Sequence, residues 1–226
     1  MNFLSLVNDV NQRLNEVPLT SSNFAGATGY YADSKSYVNS AINRVNREEF
    51  EWPFNHQTKT QTLVVNQIKY PYETNAKSVA FDTFRLKGSD ALNTESRHLQ
   101  VVDYEEYLHK YTDHEFNPED YADSPKGVFR ARNLSFGVIP PPDQGYDVVY
   151  EYYKLPIDLN SWDDMPSIPE QFRWVILEGA MHHAYLFRGG LEEAALSNQL
   201  FQSGIKDMRK LYINRTEYAR STVIRS

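Results

Sequence analysis

The spacing of apolar residues changes twice along this chain, and no single type of secondary structure accommodates both changes. Up to about residue 57, and again from about residue 157, apolar side chains recur every three to four positions; from Thr58 to Tyr153 they tend to alternate. A helix puts residues three and four apart on one face, whereas a strand sends neighbours to opposite faces. The expected order is therefore helix, then sheet, then helix: an α+β fold in which helices from both ends form a bundle and an antiparallel β region is inserted. The expected divisions are 1–57 for the N-terminal helices, 58–156 for the β-rich subdomain and 157–226 for the C-terminal helices and a docking tail. A length of 226 residues suits one large domain with an insert.

Local signals place the elements. Phe3, Leu6, Val7, Val10 and Leu14 give a short amphipathic helix. A second is expected from Asp33, as its N-cap, to Phe50, with Tyr37, Ala41, Ile42 and Val45 inward. It stops at Trp52-Pro53, because proline disfavours the helical conformation in the residue before it. Thr60 to Val65, the turn Asn66-Gln67 and Ile68 to Tyr72 read as a hairpin. Ser78 to Leu86 reads as a strand with Val79, Phe81 and Thr83 on one face, and Leu99 to Val102 as a short one. Residues Asp103 to Asp123 carry eight acids against Lys110 alone, an acidic helix and loop. Val128–Ala131, Leu134–Ile139 and Tyr146–Tyr153 follow as strands, separated by Arg132-Asn133 and by the stiff run Pro140-Pro141-Pro142-Asp143-Gln144-Gly145.

Ser167-Ile168-Pro169-Glu170 has the spacing of a capping box and opens a helix that Arg188-Gly189-Gly190 ends. Phe172, Val175, Ile176, Gly179, His183, Leu186 and Phe187 form one stripe of it, and Trp174, Leu177, Met181 and Ala184 another. Burial over most of its surface is expected, with Trp174 and Phe187 in the core. A last helix runs from Leu191 to about Tyr218.

Sixteen Tyr and twelve Phe fit either a Tyr-rich β region or half-wet subunit contacts. A net charge of −7 argues against general affinity for nucleic acid, which rests on Lys and Arg neutralising phosphates. The absence of Cys excludes disulfides and thiolate metal sites. The N-terminal segment has no basic, long-apolar signal pattern and no stretch suits a membrane span, so a cytoplasmic origin and no membrane partner are expected.

Chemistry-bearing motifs are sparse. His182-His183 with Glu178 is the one cluster to weigh as a metal site, yet neighbours on a helix point about 100° apart. Asp163-Asp164, Glu192-Glu193 and Glu105-Glu106 read as caps and solvated faces. No catalytic residue, metal ligand or cofactor is assigned, and a small metal-dependent hydrolase is kept as the alternative from another class. The C-terminal region holds Lys206, Arg209, Lys210, Arg215, Arg220 and Arg225 against Asp207 and Glu217. That run reads either as a solvated helix with a frayed tail or as an extension that docks on an acidic partner, such as segment 103–123 of a neighbouring subunit or a portal.

Several pieces, in their order, resemble one family. They are Glu51-Trp52-Pro53-Phe54 closing the first helices, Ile68-Lys69-Tyr70-Pro71-Tyr72, and Leu134-Ser135-Phe136-Gly137-Val138-Ile139-Pro140-Pro141-Pro142. Tyr150-Glu151-Tyr152-Tyr153-Lys154-Leu155-Pro156 follows, then Asp158-Leu159, then Ile168-Pro169 opening Trp174-Val175-Ile176-Leu177-Glu178-Gly179-Ala180. This order resembles the head-to-tail adaptor, or connector, proteins of tailed bacteriophages. The resemblance implies a non-enzymatic virion protein of the neck, assembled in the host cytoplasm. It implies twelve copies in a homo-oligomeric ring between the portal protein and a tail or nozzle protein, with DNA passing through without specific binding. It also implies portal docking by Lys206, Arg209, Lys210, Arg215, Arg220 and Arg225, and tail-side or lateral contact at Pro140, Pro141 and Pro142. Another neck or tail-completion protein is the alternative within the class.

Overall fold

The computed structural model describes residues 1–88 and 96–213. Helices α1 (Phe3–Arg13), α2 (Ser21–Phe24) and α3 (Tyr30–Glu48) come first. Strands β1 (His56–Thr62), β2 (Lys69–Pro71), β3 (Ala76–Leu86), β4 (Arg97–His98) and β5 (Gln100–Val102) follow, and then helices α4 (Tyr104–Lys110) and α5 (Asp113–Phe116). Strands β6 (Gly127–Ala131), β7 (Ser135–Ile139) and β8 (Asp147–Lys154) precede helices α6 (Arg173–Arg188) and α7 (Leu191–Tyr212). The chain folds as two compact units, one of residues 55–155 and one of residues 1–54 with the chain from 156 onward. Helices and largely antiparallel sheets together make it an α+β protein.

In the helical unit, Phe3, Leu6, Val7 and Val10 of α1 pack with Val38, Ala41, Ile42 and Val45 of α3, Val175, Ile176, Ala180 and Met181 of α6, and Phe201, Ile205 and Met208 of α7. The Asn2 side chain caps α1 by accepting from the Ser5 amide at 3.0 Å, while the Ser5 hydroxyl accepts from the Asn2 amide at 3.2 Å. Trp52 is fully buried and donates from its indole nitrogen to the Val45 carbonyl at 2.9 Å, which fastens the chain back along α3. Two glycines set the helix crossings. A Cβ on Gly179 would lie 2.9 Å from the Ala41 Cβ, and one on Gly204 would lie 2.5 Å from Val175.

Four local expectations are corrected in this unit. Gly29, at φ +59°, precedes α3, and Asp33 lies in the first turn, where its charge suits the helix dipole. Pro169, not Ser167, is the residue at which the turn into α6 begins: it is extended, Glu170–Phe172 make a 3₁₀ turn, and α6 follows from Arg173. Glu170 meets the N-terminal ammonium of Met1 at 3.2 Å. Phe187 is 68% exposed and Trp174 37%, because the buried face of α6 is confined to residues 175–184 and Phe187 reaches only the rim beside Tyr37. Finally, α7 ends at Tyr212 with Ile213 extended, and the rest of the expected helix lies outside the described residues.

The second unit holds two four-stranded sheets, ordered β1-β8-β3-β4 and β2-β7-β6-β5. Phe84, Leu86, Val148, Tyr150 and Tyr152 of the first pack with Tyr70, Val128, Phe136 and Val138 of the second. Phe84 stacks on Tyr150 at 4.7 Å and lies 5.0 Å from Phe136. The second sheet is also apolar on its outer face, where Tyr107 of α4 stacks on Phe129 at 3.8 Å among Ile68, Ala131 and Ile139. The acidic segment thus serves as a cover, with Tyr107 inward and Glu105 and Glu106 outward.

The expected hairpin of Thr60–Val65 with Ile68–Tyr72 is absent. β1 pairs with β8 over seven residues and β2 with β7 over three, in different sheets. The full-length ladder offered by β8 outcompetes the short local one, and Asn66, at φ +63°, turns the chain from one sheet to the other. Strand β3 also departs from simple alternation. A register shift between Ala80 and Arg85 buries Phe84 and Leu86 in place of the expected face of Val79, Phe81 and Thr83. The Thr83 hydroxyl bridges that irregularity, donating to the Ala80 carbonyl at 2.6 Å and accepting from the Glu151 amide at 3.0 Å.

Candidate assembly surfaces

On α7 the basic run divides by helical position. Lys206 and Lys210 are four apart and share an exposed face. Lys210 pairs with Asp207 at 3.2 Å, an exposed contact of little net strength, and Lys206 has no ion pair among the described residues. Arg209 turns the other way. Its guanidinium lies 3.3 Å from the Glu49 carboxylate and 3.7 Å from that of Glu48, and it also donates to the Glu48 carbonyl. It anchors the C-terminal end of α3, a role the sequence reading had not distinguished from docking. Arg215, Arg220 and Arg225 lie outside the described residues.

The proline run is more interior than its composition implies. Pro141 and Pro142 are buried and Pro140 is half-buried. The Pro141 carbonyl accepts from the Asp123 amide and that of Pro142 from the Asn66 amide, both at 2.9 Å. Asp143, Gln144 and Gly145 are the exposed tip, so the prolines act as a fixed base for it. The Tyr146 hydroxyl donates to Asp143 at 2.8 Å and steadies that tip.

The residues weighed as a metal site do not converge. His182 Nδ1 lies 2.8 Å from the Ala194 carbonyl, and Glu178 is paired with Arg13 at 2.7 Å. His183 stacks beside Tyr37 at 6.4 Å, and burial, with lesser help from His182 and Arg44, pushes its pKa down. Among the described residues no group of three or more His, Asp or Glu could hold a metal ion.

The outer side of α4 and α5 is the main acidic surface of the β unit. Glu106, Glu115 and Asp123 pair with Lys110, Lys69 and Lys126. Asp103, Glu105, Asp113, Glu119 and Asp120 have no ion pair among the described residues, so the surface stays negative. Burial works to raise the Glu115 pKa, but hydrogen bonds from Lys69 and Tyr107 outweigh it and hold the carboxyl below its usual range.

The sequence reading missed a second apolar stripe on α7. Leu196 and Leu211 are 59% and 61% exposed and Leu200 lies with them, on the side away from the core. Their separations of four and eleven residues were the available signal. Exposed leucines in such a row are typical of contact surfaces.

No helix among the described residues is long and apolar enough to cross a membrane. No curated protein matches the sequence. The model of the SU10 adaptor protein family, in contrast, matches residues 1–225 and so takes in both units. A match of that extent means that this protein belongs to the SU10 adaptor protein family and is a structural component of a phage virion.

Proposed function

We propose that the chain is one of twelve subunits of a ring in the virion neck that joins the capsid portal to a tail or nozzle protein and lines the DNA passage. The observation that carries the reading is the family match over the length of the chain. A net charge of −7 suits a surface along which a polyanion slides without adhering. A ring subunit needs two different, mutually complementary surfaces, and the acidic cover of α4 and α5 together with the basic end of α7 provide charges of opposite sign.

Portal docking falls to Lys206 and Lys210 with Arg215, Arg220 and Arg225, while Arg209 stays engaged with α3. Tail-side or lateral contact falls to Asp143, Gln144 and Gly145 on their base of Pro140, Pro141 and Pro142. The test is co-sedimentation of the full chain with portal-bearing, DNA-filled heads over a range of salt. Binding should weaken as salt rises, and Lys206→Glu with Lys210→Glu should weaken it by about 0.2–1 kcal/mol per charge. Indifference to both salt and charge reversal would remove this docking surface from the account.

A further inference from the structure

The turn from β6 to β7 carries features that a subunit standing alone would be better without. Asn133 and Leu134 both hold left-handed backbone, at φ +60° and +52°, a region that suits Asn and Gly but strains a leucine. The Leu134 carbonyl accepts from the Tyr72 amide at 3.0 Å, which fixes the strained backbone. The Leu134 side chain is nevertheless 81% exposed. Arg130 and Arg132 at the same turn are exposed too, and neither has an ion pair among the described residues. The Arg130 guanidinium lies 5.0 Å over the Phe81 ring and that of Arg132 lies 5.6 Å over the Tyr104 ring. Resting on a ring steadies a guanidinium by its face and leaves its N–H edges for a carboxylate.

The length of β6, Gly127–Ala131, puts about 13 Å between that turn and the opposite end of the same sheet. At the opposite end α5 packs beside Gly127, Ile139 and Pro140, where His114 joins them in lining a cleft. Tyr121 stacks on His114 at 4.3 Å, and the Asp123 amide donates to the Pro141 carbonyl, so residues 117–123 are held to this end. Its surface is apolar and acidic together. Phe116 is 75% exposed, and Asp113, Glu119 and Asp120 are exposed with no ion pair among the described residues. Lys126 at this end is already taken by Asp123.

The geometry points to a head-to-tail contact between two copies of this chain: the β6–β7 turn of one docks on the α5 end of the next. Leu134 lies against Phe116, and Arg130 and Arg132 donate to Glu119, Asp120 and Asp113. Each end offers an exposed apolar side chain beside charge of one sign, and the signs are opposite. The two ends are too far apart to satisfy each other within one subunit, and they differ, so the contact is heterologous and repeats from copy to copy. Such a contact generates a ring when its rotation closes. A phosphate backbone would use the arginines but leave Leu134 and Phe116 in water, so the observations favour a protein partner. The inference rests on the ring reading and names its lateral contact, leaving the basic end of α7 to the portal.

Analytical ultracentrifugation of the full-length chain at low salt should show self-association that weakens as salt rises. Arg130→Glu with Arg132→Glu should weaken it by about tenfold, as should Glu119→Arg with Asp120→Arg, and a chain carrying all four changes should regain it. Regain separates a broken contact from a broken fold. Leu134→Asn should also weaken association by about tenfold while the unfolding midpoint stays level or rises, because Asn is at ease at φ +52°. A chain that stays monomeric at millimolar concentration overturns the contact, as does association that ignores both reversals. Loss of duplex-DNA retention on reversing the arginines, with self-association unchanged, would make them a phosphate site and overturn it too. Closed rings of the arginine-reversed chain on portal-bearing heads would overturn the contact and leave the ring reading standing, whereas the absence of rings with the unaltered chain would remove that reading itself.

Discussion

Replacing Gly137 by alanine should destabilise the β unit far more than one methyl group suggests. Gly137 lies on β7 under the Phe129 ring, and a Cβ there would be 2.1 Å from Cζ and 2.3 Å from Cε1. Ordinary contact begins at 3.4 Å, so the ring must retreat by about 1.3 Å, the difference from 2.1 Å. Tyr107 blocks the retreat, stacked at 3.8 Å on the far side and held through its hydroxyl by Glu115. Overpacking of this kind costs about 1–3 kcal/mol, and loosening the aromatic stack adds about 0.5–1.5 kcal/mol. A total of about 2–4 kcal/mol corresponds to about 10–30 °C in Tm for a unit of this size. Because residues 55–155 form a compact unit of their own, the assay should be urea titration of the full chain with hydrogen exchange read over residues 127–139. Phe129→Leu in the same chain should recover part of the loss by making room. A Gly137→Ala protein within about 0.5 kcal/mol of the parent would refute the close approach of β7 to Phe129 and the packing of α4 behind it.

In the helical unit, Ile176→Ala should cost about 2–5 kcal/mol, whereas Phe187→Ala should cost under about 1 kcal/mol because that ring is mostly in solvent; denaturant midpoints decide between them. Glu115 is a carboxylate with a lowered folded-state pKa, so the stability it contributes is present above the unfolded carboxylate range and is lost as pH falls through the folded value. Lys69→Met removes one partner that lowers it, so acid unfolding of the β unit should begin at a higher pH, read by hydrogen exchange at residues 104–116. An unchanged acid transition would mean that the pair does not hold the acidic cover in place.

The sequence was informative wherever a local period decides the structure. The change to alternation near Thr58 and back after Tyr153 matches strands that run from His56 to Lys154, and the spacing of Phe3, Leu6, Val7 and Val10 marked α1 correctly. Long-range choices were not legible. Nothing near Thr60 announces that its partner is Val149 in β8 rather than a residue of the next strand in sequence. Likewise the largely apolar circumference of α6 does not say that packing ends at Ala184, which leaves Phe187 at the rim. For the candidate surfaces, charge could be counted but its orientation could not. Arg209 and Lys210 are neighbours in sequence, and only the position of α3 separates the anchored one from the exposed one. The burial of Pro141 and Pro142 depends on backbone bonds to Asp123 and Asn66, which no local pattern reveals.

The copy number and position of the full-length chain on portal-bearing heads test the central claim most directly, by cryo-electron microscopy of heads mixed with purified protein before any tail component is added. The account predicts a closed ring of twelve copies at the outer opening of the portal, with the basic end of α7 toward the portal. Binding scattered over the capsid, or no ring at the portal vertex while tails alone are decorated, would contradict it.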